Sequence, residues 1–349
     1  MPQESQLTRS TVALERVAAD VKPALRRALE AADWTQAVPR GADVSLKVNL
    51  GWDLFIPGSI TSPLFAEALI ETIRDHVGRI YMVESDQVLE DIERAFQESG
   101  MAAVCRRTGV DWVNMTNGPS VSHHDPHNVV LKQIAVPQIL RDTLLVTVPV
   151  LKTHAKTRIS GALKNQWGCI GTMRHEYHLV LDDALADLNH ALRPALSVMD
   201  GTVGLEGDGP KSGWPRVADL VLCSRDPVAL DSVEAQVMGI DPASVGHLAS
   251  CAGRGLGVWD PARIDVVGAS VAETRQNFRV ARHNPVSLVE TLLRRSLAKK
   301  LFFNTPIFDV CLWGAKLYYR QWALRHRRRA LEAVLAHPVY GAQWRSVRA

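Results

Sequence analysis

The sequence predicts an α/β fold: a mostly parallel or mixed sheet flanked by helices, with a helical basic C-terminal tail. Three observations carry this expectation. Short apolar, β-branched runs (43–50, 79–84, 143–150, 195–199, 219–224 and 263–267) alternate with segments of helical periodicity. Helix starts are marked by a capping residue followed by proline, at Thr61-Ser62-Pro63 and at Asp226-Pro227. Charge is split along the chain. From Arg282 onward 13 Lys or Arg face 3 Asp or Glu, whereas the remainder carries 27 against 34, a division hidden by the net charge of +3.

The elements follow in order. Residues 11–34 read as an amphipathic helix divided at Pro23. Residues 43–50 alternate as a strand that places Lys47 and Asn49 on one face. The turn 57–63 opens a helix to about residue 76, whose N-terminus suits a phosphate or carboxylate. Residues 79–84 form a strand ending in Glu84, residues 89–99 a helix stopped by Gly100, and residues 111–114 a short strand. His123, His124 and His127 read as a surface turn rather than a metal site, because their spacing is not that of structural zinc. Residues 129–136 make a hairpin arm.

The central stretch is 143–172. A buried strand ends at Pro149, and Lys152, Thr153, His154, Lys156, Arg158, Lys164 and Asn165 follow in a loop punctuated by Gly161, Gly168 and Gly171. His175 and His178 then open a helix to about residue 192. A strand at 195–199 ends in Asp200. Five glycines among residues 201–213 then predict a mobile loop able to approach a ligand closely, with Glu206 and Asp208 as acidic groups on it. Strand 219–224, the helix after Asp226 (with Asp231 on its first turn), a helix within 241–257 and strand 263–267 complete the body. In the tail, residues 287–298 read as helix, 301–319 are aromatic-rich and 320–329 strongly basic.

Several classes are excluded. Five scattered cysteines with no C-x-x-C argue against a disulfide scaffold and point to a reducing compartment. No run of about 20 apolar residues is present, and the polar N-terminus is not a signal peptide, so a cytoplasmic chain is expected, peripheral at most to the inner face of a membrane. No nucleic-acid motif accompanies the basic charge.

Lys152-Thr153-His154, followed by Gly161-Ala162-Leu163-Lys164-Asn165 and Gly168, resembles the signature of the DUF362 family, a domain of unknown function found widely in prokaryotes. The strand ending in Lys47-x-Asn49, the Asp200-Gly201 run and Asp226-Pro227-Val228-Ala229-Leu230-Asp231 extend the likeness over about residues 45–267. Many relatives carry a cysteine-rich module that holds iron–sulfur clusters. The cysteine spacing here lacks it, so the chain is expected to be a variant without an iron–sulfur cluster. The first half is also similar to the lactate racemase-like family, though that family's cofactor-holding residues do not map onto this chain.

The sequence therefore divides into a helical segment 1–40, an α/β domain 41–280 and a basic aromatic tail 281–349. The expected function is an enzyme, isomerase- or transferase-like, acting on a small carboxylate or phosphorylated metabolite. Lys152, His154 and Asp200 are the expected catalytic groups: His154 transfers a proton, Lys152 holds the anion and Asp200 orients a base. Lys47, Asn49, Lys164 and Asn165 are expected to bind substrate. No metal ligands are assigned and the cofactor stays open. The alternatives are a membrane-surface binding or accessory protein using residues 282–349, a homo-oligomer through that tail, or a redox accessory without its own cluster.

Overall fold

The computed structural model describes residues 9–51, 55–87, 91–116, 118–171, 180–282 and 306–346. Within them a mixed sheet runs β12-β1-β11-β10-β7-β2-β3-β4. Its strands are β1 Ser10–Arg16, β2 Val44–Lys47, β3 Ile80–Glu84, β4 Asp111–Asn114, β7 Leu144–Thr147, β10 Leu196–Asp208, β11 Ser212–Ser224 and β12 Ile264–Gly268. A separate hairpin joins β5 Ser120–His124 to β6 Gln133–Pro137. Strands β8 Val150–His154 and β9 Arg158–Ile159 branch off, with β8 pairing both β10 and β9.

Direction within the sheet places the site. Strands β4, β3, β2, β7 and the start of β10 run parallel, whereas β11 is antiparallel to both β10 and β1. The chain builds outward from β2 through β3 to β4, then returns to lay β7 on the other side of β2. Such a reversal opens a crevice at the carboxyl ends of the two strands that flank it, here β2 and β7. Lys47 and Thr147, the last residues of those strands, are register partners.

Helices cover both faces. Val21–Ala31 and Pro63–Ile73 bury Ala24, Leu25, Phe65 and Leu69 against one face, and Pro227–Val237 buries Val228, Leu230 and Val233 against the other. The predicted caps hold: Ser62 Oγ accepts from Phe65 N, with Pro63 next in line, and Asp226 accepts from Val228 N and Ala229 N.

Four predicted elements differ. Residues 11–34 are not one helix. Ser10–Arg16 is β1, inserted between β11 and β12, and the helix begins at Val21 behind the cap Asp20. Val12 and Leu14 enter one core cluster and Ala13 the other, so both faces of this strand are apolar and its period of two is hidden. Pro23 does not break the helix, because it sits in the first turn, where no intrahelical N–H is lost.

Lys152, Thr153 and His154 lie on strand β8, not in a loop. The glycine-rich run 201–213 is likewise not a mobile loop but the paired end of β10 and β11. Its glycines allow close backbone approach. A Cβ on Gly204 would lie 2.7 Å from the Leu151 carbonyl oxygen, and one on Gly209 2.2 Å from that of Thr153. His123 and His124 are paired strand residues of β5 opposite Ile134 and Gln133. His175, His178 and the predicted helix 287–298 lie outside the described residues.

Candidate active site

At the carboxyl end of β2 the chain carries Lys47 and, two residues on, Asn49. Lys47 is 1% exposed, and its Nζ donates to Glu84 Oε2 at 2.8 Å and to the Val48 carbonyl at 2.8 Å. Glu84, at the end of β3, also accepts from Leu50 N and Ser85 N. Both charges are thus matched and fully desolvated, which is the condition for a buried pair to be tolerated. Lys47 therefore forms the floor of the site, and its donors face the wall. Gly168 packs on this pair: a Cβ there would lie 2.3 Å from Glu84 Oε1 and 2.6 Å from Lys47 Cε.

Above this floor a directed chain of hydrogen bonds spans the crevice between β2 and β7. Lys152 Nζ donates to Asn49 Oδ1 at 2.8 Å, Asn49 Nδ2 donates to Asn165 Oδ1 at 3.0 Å, and Asn165 Nδ2 donates to the Lys47 carbonyl and to Thr147 Oγ1. Each amide uses its oxygen as acceptor and its nitrogen as donor, so the network fixes both orientations. Asn49 is the half-buried member on the solvent side, while Lys152 and Asn165 are buried.

Lys152 Nζ makes one further bond, to the Ser59 carbonyl at 2.9 Å. Burial pushes its pKa down from 10.5 to about 7, against the opposing pull of Glu234 and Glu84. A neutral amine has two N–H donors and one lone pair. The two acceptors at Asn49 and Ser59 take both donors of the neutral form and leave the lone pair.

The helix carrying the Lys164-Asn165 dipeptide, Gly161–Asn165, is held by the helix Pro227–Val237, whose Val228 and Leu230 share an apolar cluster with its Ala162 and Leu163. Asp231 accepts from Ala162 N and Leu163 N, and Glu234 accepts from Lys152 N. Gly161 adopts φ +62°, and a Cβ there would meet the Asp231 carboxylate at 2.3 Å. Burial raises the pKa of Asp231 and of Glu234, and the proximity of the two carboxyls raises Glu234 further. Lys164 is half-buried, with Nζ 5.9 Å from the Trp167 ring centroid.

Two expected catalytic groups have other work in this geometry. His154 ends β8, and its Nδ1 accepts from Lys156 N and Thr157 N, which fixes the Nε2–H tautomer and commits the basic nitrogen to the β8–β9 turn. Asp200 accepts from Ser62 N through Oδ2 and from Thr202 N and Oγ1 through Oδ1. Its pKa is pushed up to about 6 by burial, with those bonds opposing. It is the anion at the start of the helix Pro63–Ile73. Leu64 N in turn donates to Gln343 Oε1, so the N-terminus expected to hold an external phosphate is filled from within.

Of the residues that matter here, sequence reasoning marked Glu84 as the acidic end of a strand without assigning it a role, and left out Thr147, Ser59 and Glu234. Thr147 was hidden inside the apolar run 143–150. Nothing local marks Ser59, which acts through its backbone, or Glu234 on a helix far along the chain.

Among the described residues the cysteines do not converge. Cys105, Cys169, Cys223 and Cys251 are buried on separate elements, and burial pushes the Cys105 thiol up to about 11. Among the described residues no group of three His, Cys, Asp or Glu is placed to hold a metal ion. A cleft of about 680 Å³ lies at the opposite end of the strands, near the starts of β1, β7 and β10, and is lined in part by Arg9, Arg141, Arg193 and Arg225.

The residues of this network fall inside a shared family pattern. A profile described as "Domain of unknown function (DUF362)" matches residues 44–236, more than half of the chain. The chain belongs to the DUF362 family. Within that span lie Lys47, Asn49, Lys152, Asn165 and Asp200. The chain is also similar to a thylakoid-associated protein of Synechocystis sp. (strain ATCC 27184 / PCC 6803 / Kazusa), with 25% identity over 199 residues. The match covers 55% of this chain and 61% of that relative, so the chain spans less than two thirds of the relative's length.

Proposed function

We propose that this DUF362 chain is an enzyme that moves a proton on a small carboxylate or phosphorylated metabolite, with Lys152 as the base. The observation that carries the reading is the Lys152 amine. It is buried at the switch point of a parallel sheet, near neutrality, with both N–H donors of its neutral form engaged. An amine held neutral by desolvation accepts protons at physiological pH. Asn49, half-buried beside it, faces the incoming substrate. Lys164 supplies the positive charge that attracts an anion. Asn165 holds Asn49 in place, and Lys47 with Glu84 forms the rigid floor beneath.

A thermal-shift screen of small carboxylates and phosphorylated metabolites tests this. A ligand that binds the native state raises its melting temperature. The reading requires a hit with wild type that weakens at least tenfold in Asn49→Leu, and a conversion of that ligand lost in Lys152→Met. Turnover should rise with pH through about 7, as Lys152 sheds its proton. A hit whose binding and turnover ignore both substitutions sinks it.

A second reading, that the protein works at a membrane surface, is favoured by the thylakoid association of the Synechocystis relative. No helix among the described residues is long and apolar enough to cross a membrane. The proposed association is therefore peripheral.

A further inference from the structure

Among its described side chains, the helix Pro306–Leu335 packs on the body mainly from Tyr319 onward, where Lys211 Nζ lies 5.8 Å from the Tyr319 ring centroid. In its second half Ala323, Ala330, Leu331 and Val334 are buried, Trp322 and His326 pack on Trp214, and Arg327 Nε donates to the Phe55 carbonyl. Val310, Trp313 and Leu317 in its first half, and Leu324 on the outer side of its second, are turned to solvent at 66, 67, 43 and 79% exposure. These positions are spaced by three, four and seven residues, which sets them on one face of the helix.

Charge surrounds this stripe. Between residues 310 and 331 stand Lys316, Arg320, Arg325, Arg327, Arg328 and Arg329, with no Asp or Glu. Lys316, Arg320, Arg325, Arg328 and Arg329 are exposed. Arg320 interrupts the apolar row itself, between Leu317 and Leu324. A second copy of the chain would meet this face with charge of the same sign, so the pattern disfavours self-association through it. A polyanion such as nucleic acid would satisfy the charge and leave a tryptophan and two leucines in water.

We propose that the face formed by Val310, Trp313, Leu317 and Leu324 inserts into the headgroup boundary of an anionic lipid bilayer, with the flanking cations on the lipid phosphates. Apolar and aromatic side chains on one side of a helix and Lys/Arg beside them are the requirements for interfacial docking. Each basic residue near the surface adds affinity only when the lipid is anionic. The inference rests on the membrane-surface reading and names its surface and lipid class.

The test is vesicle flotation of the full chain, using phosphatidylcholine alone and phosphatidylcholine with about a third phosphatidylglycerol. Wild type should float with the anionic vesicles at least tenfold better than with the neutral ones, and lose that advantage at high salt. The variant Val310→Ser/Trp313→Ser/Leu317→Ser/Leu324→Ser should keep its melting temperature and lose binding at least tenfold. If wild type floats and this variant floats equally well, the surface assignment is overturned while membrane association stands. If wild type floats with neither vesicle, the membrane-surface reading fails and this inference with it. If light scattering shows wild type to be a dimer that the variant dissociates, with vesicle binding unchanged, the face belongs to a second copy and the proposal is wrong.

Discussion

Burial of the Lys152 amine ties stability to pH as well as to chemistry. The folded protein releases this proton near pH 7, whereas the unfolded chain keeps it until about 10.5. Between those values the unfolded state binds more protons, so the contribution of Lys152 to stability rises with pH across the window. Lys152→Met removes that dependence. Urea unfolding at pH 7 and pH 9 should show wild type gaining about 2–3 kcal/mol relative to the variant, at roughly 1.4 kcal/mol per pH unit. Parallel pH profiles for the two proteins would mean that the amine is not held neutral. Glu84 behaves differently. Glu84→Gln leaves the Lys47 ammonium buried without its counter-charge and is expected to cost about 3–5 kcal/mol in denaturant unfolding. A loss below about 1 kcal/mol would show that water reaches Lys47. Lys47, Asn49 and Lys152 were legible in the sequence as polar residues on or just beyond strand ends, and Asn165 as a polar residue farther along the central stretch. Their arrangement into one hydrogen-bonded network was not, because it depends on Glu84, Ser59 and Thr147, brought in from other elements.

At the scale of the element, glycine decides which segments touch. Gly58 adopts φ +84°, and a Cβ there would lie 2.2 Å from the Gly204 carbonyl oxygen. The backbone at 58 and strand β10 are therefore in direct contact, one residue from the Ser59 carbonyl that accepts from Lys152. Gly58→Ala must shift one backbone or the other and should destabilise by about 2–4 kcal/mol, while also displacing Ser59. Calorimetry reads the first effect, and loss of the ligand-induced thermal shift reads the second. A variant that keeps both properties would show that the two segments are not packed. The helix caps and parallel strands were readable because capping chemistry and alternation act over a few neighbouring residues. The glycine-rich run 201–213 read as a loop because glycine is common both in mobile turns and in strands crossed closely by another backbone. Only the partner, residues 150–154, distinguishes the two. Strand β1 was hidden for a related reason: a strand covered on both faces loses its polar alternation, and Val12, Leu14 and Val17 then fit a helical period as well.

Across the whole molecule, the C-terminal segment closes the fold. Tyr340 and Trp344 are 0 and 2% exposed and belong to the same apolar cluster as Leu25, Phe65 and Leu69, far earlier in the chain. The Tyr340 hydroxyl donates to Asp219 on β11 at 2.6 Å, and Ser62 Oγ donates to Gln343 Oε1 at 2.7 Å. Composition marks this tail as basic and aromatic, and nothing local in it specifies a partner some 280 residues upstream. One helix therefore combines a far end that leads into the core with a row of exposed apolar side chains. Two substitutions separate these parts. Trp344→Ala empties a core position and should cost about 3–5 kcal/mol. Leu324→Ala, at 79% exposure, should stay within about 0.5 kcal/mol of wild type. Chemical denaturation of the two variants side by side is decisive, because both remove a large apolar side chain from the same tail. Equal effects would mean that the tail is docked everywhere or nowhere. A large cost confined to Trp344 would mean that cutting the chain ahead of residue 306 damages the core as well as the exposed face, so surface binding has to be probed by point substitution in the full chain.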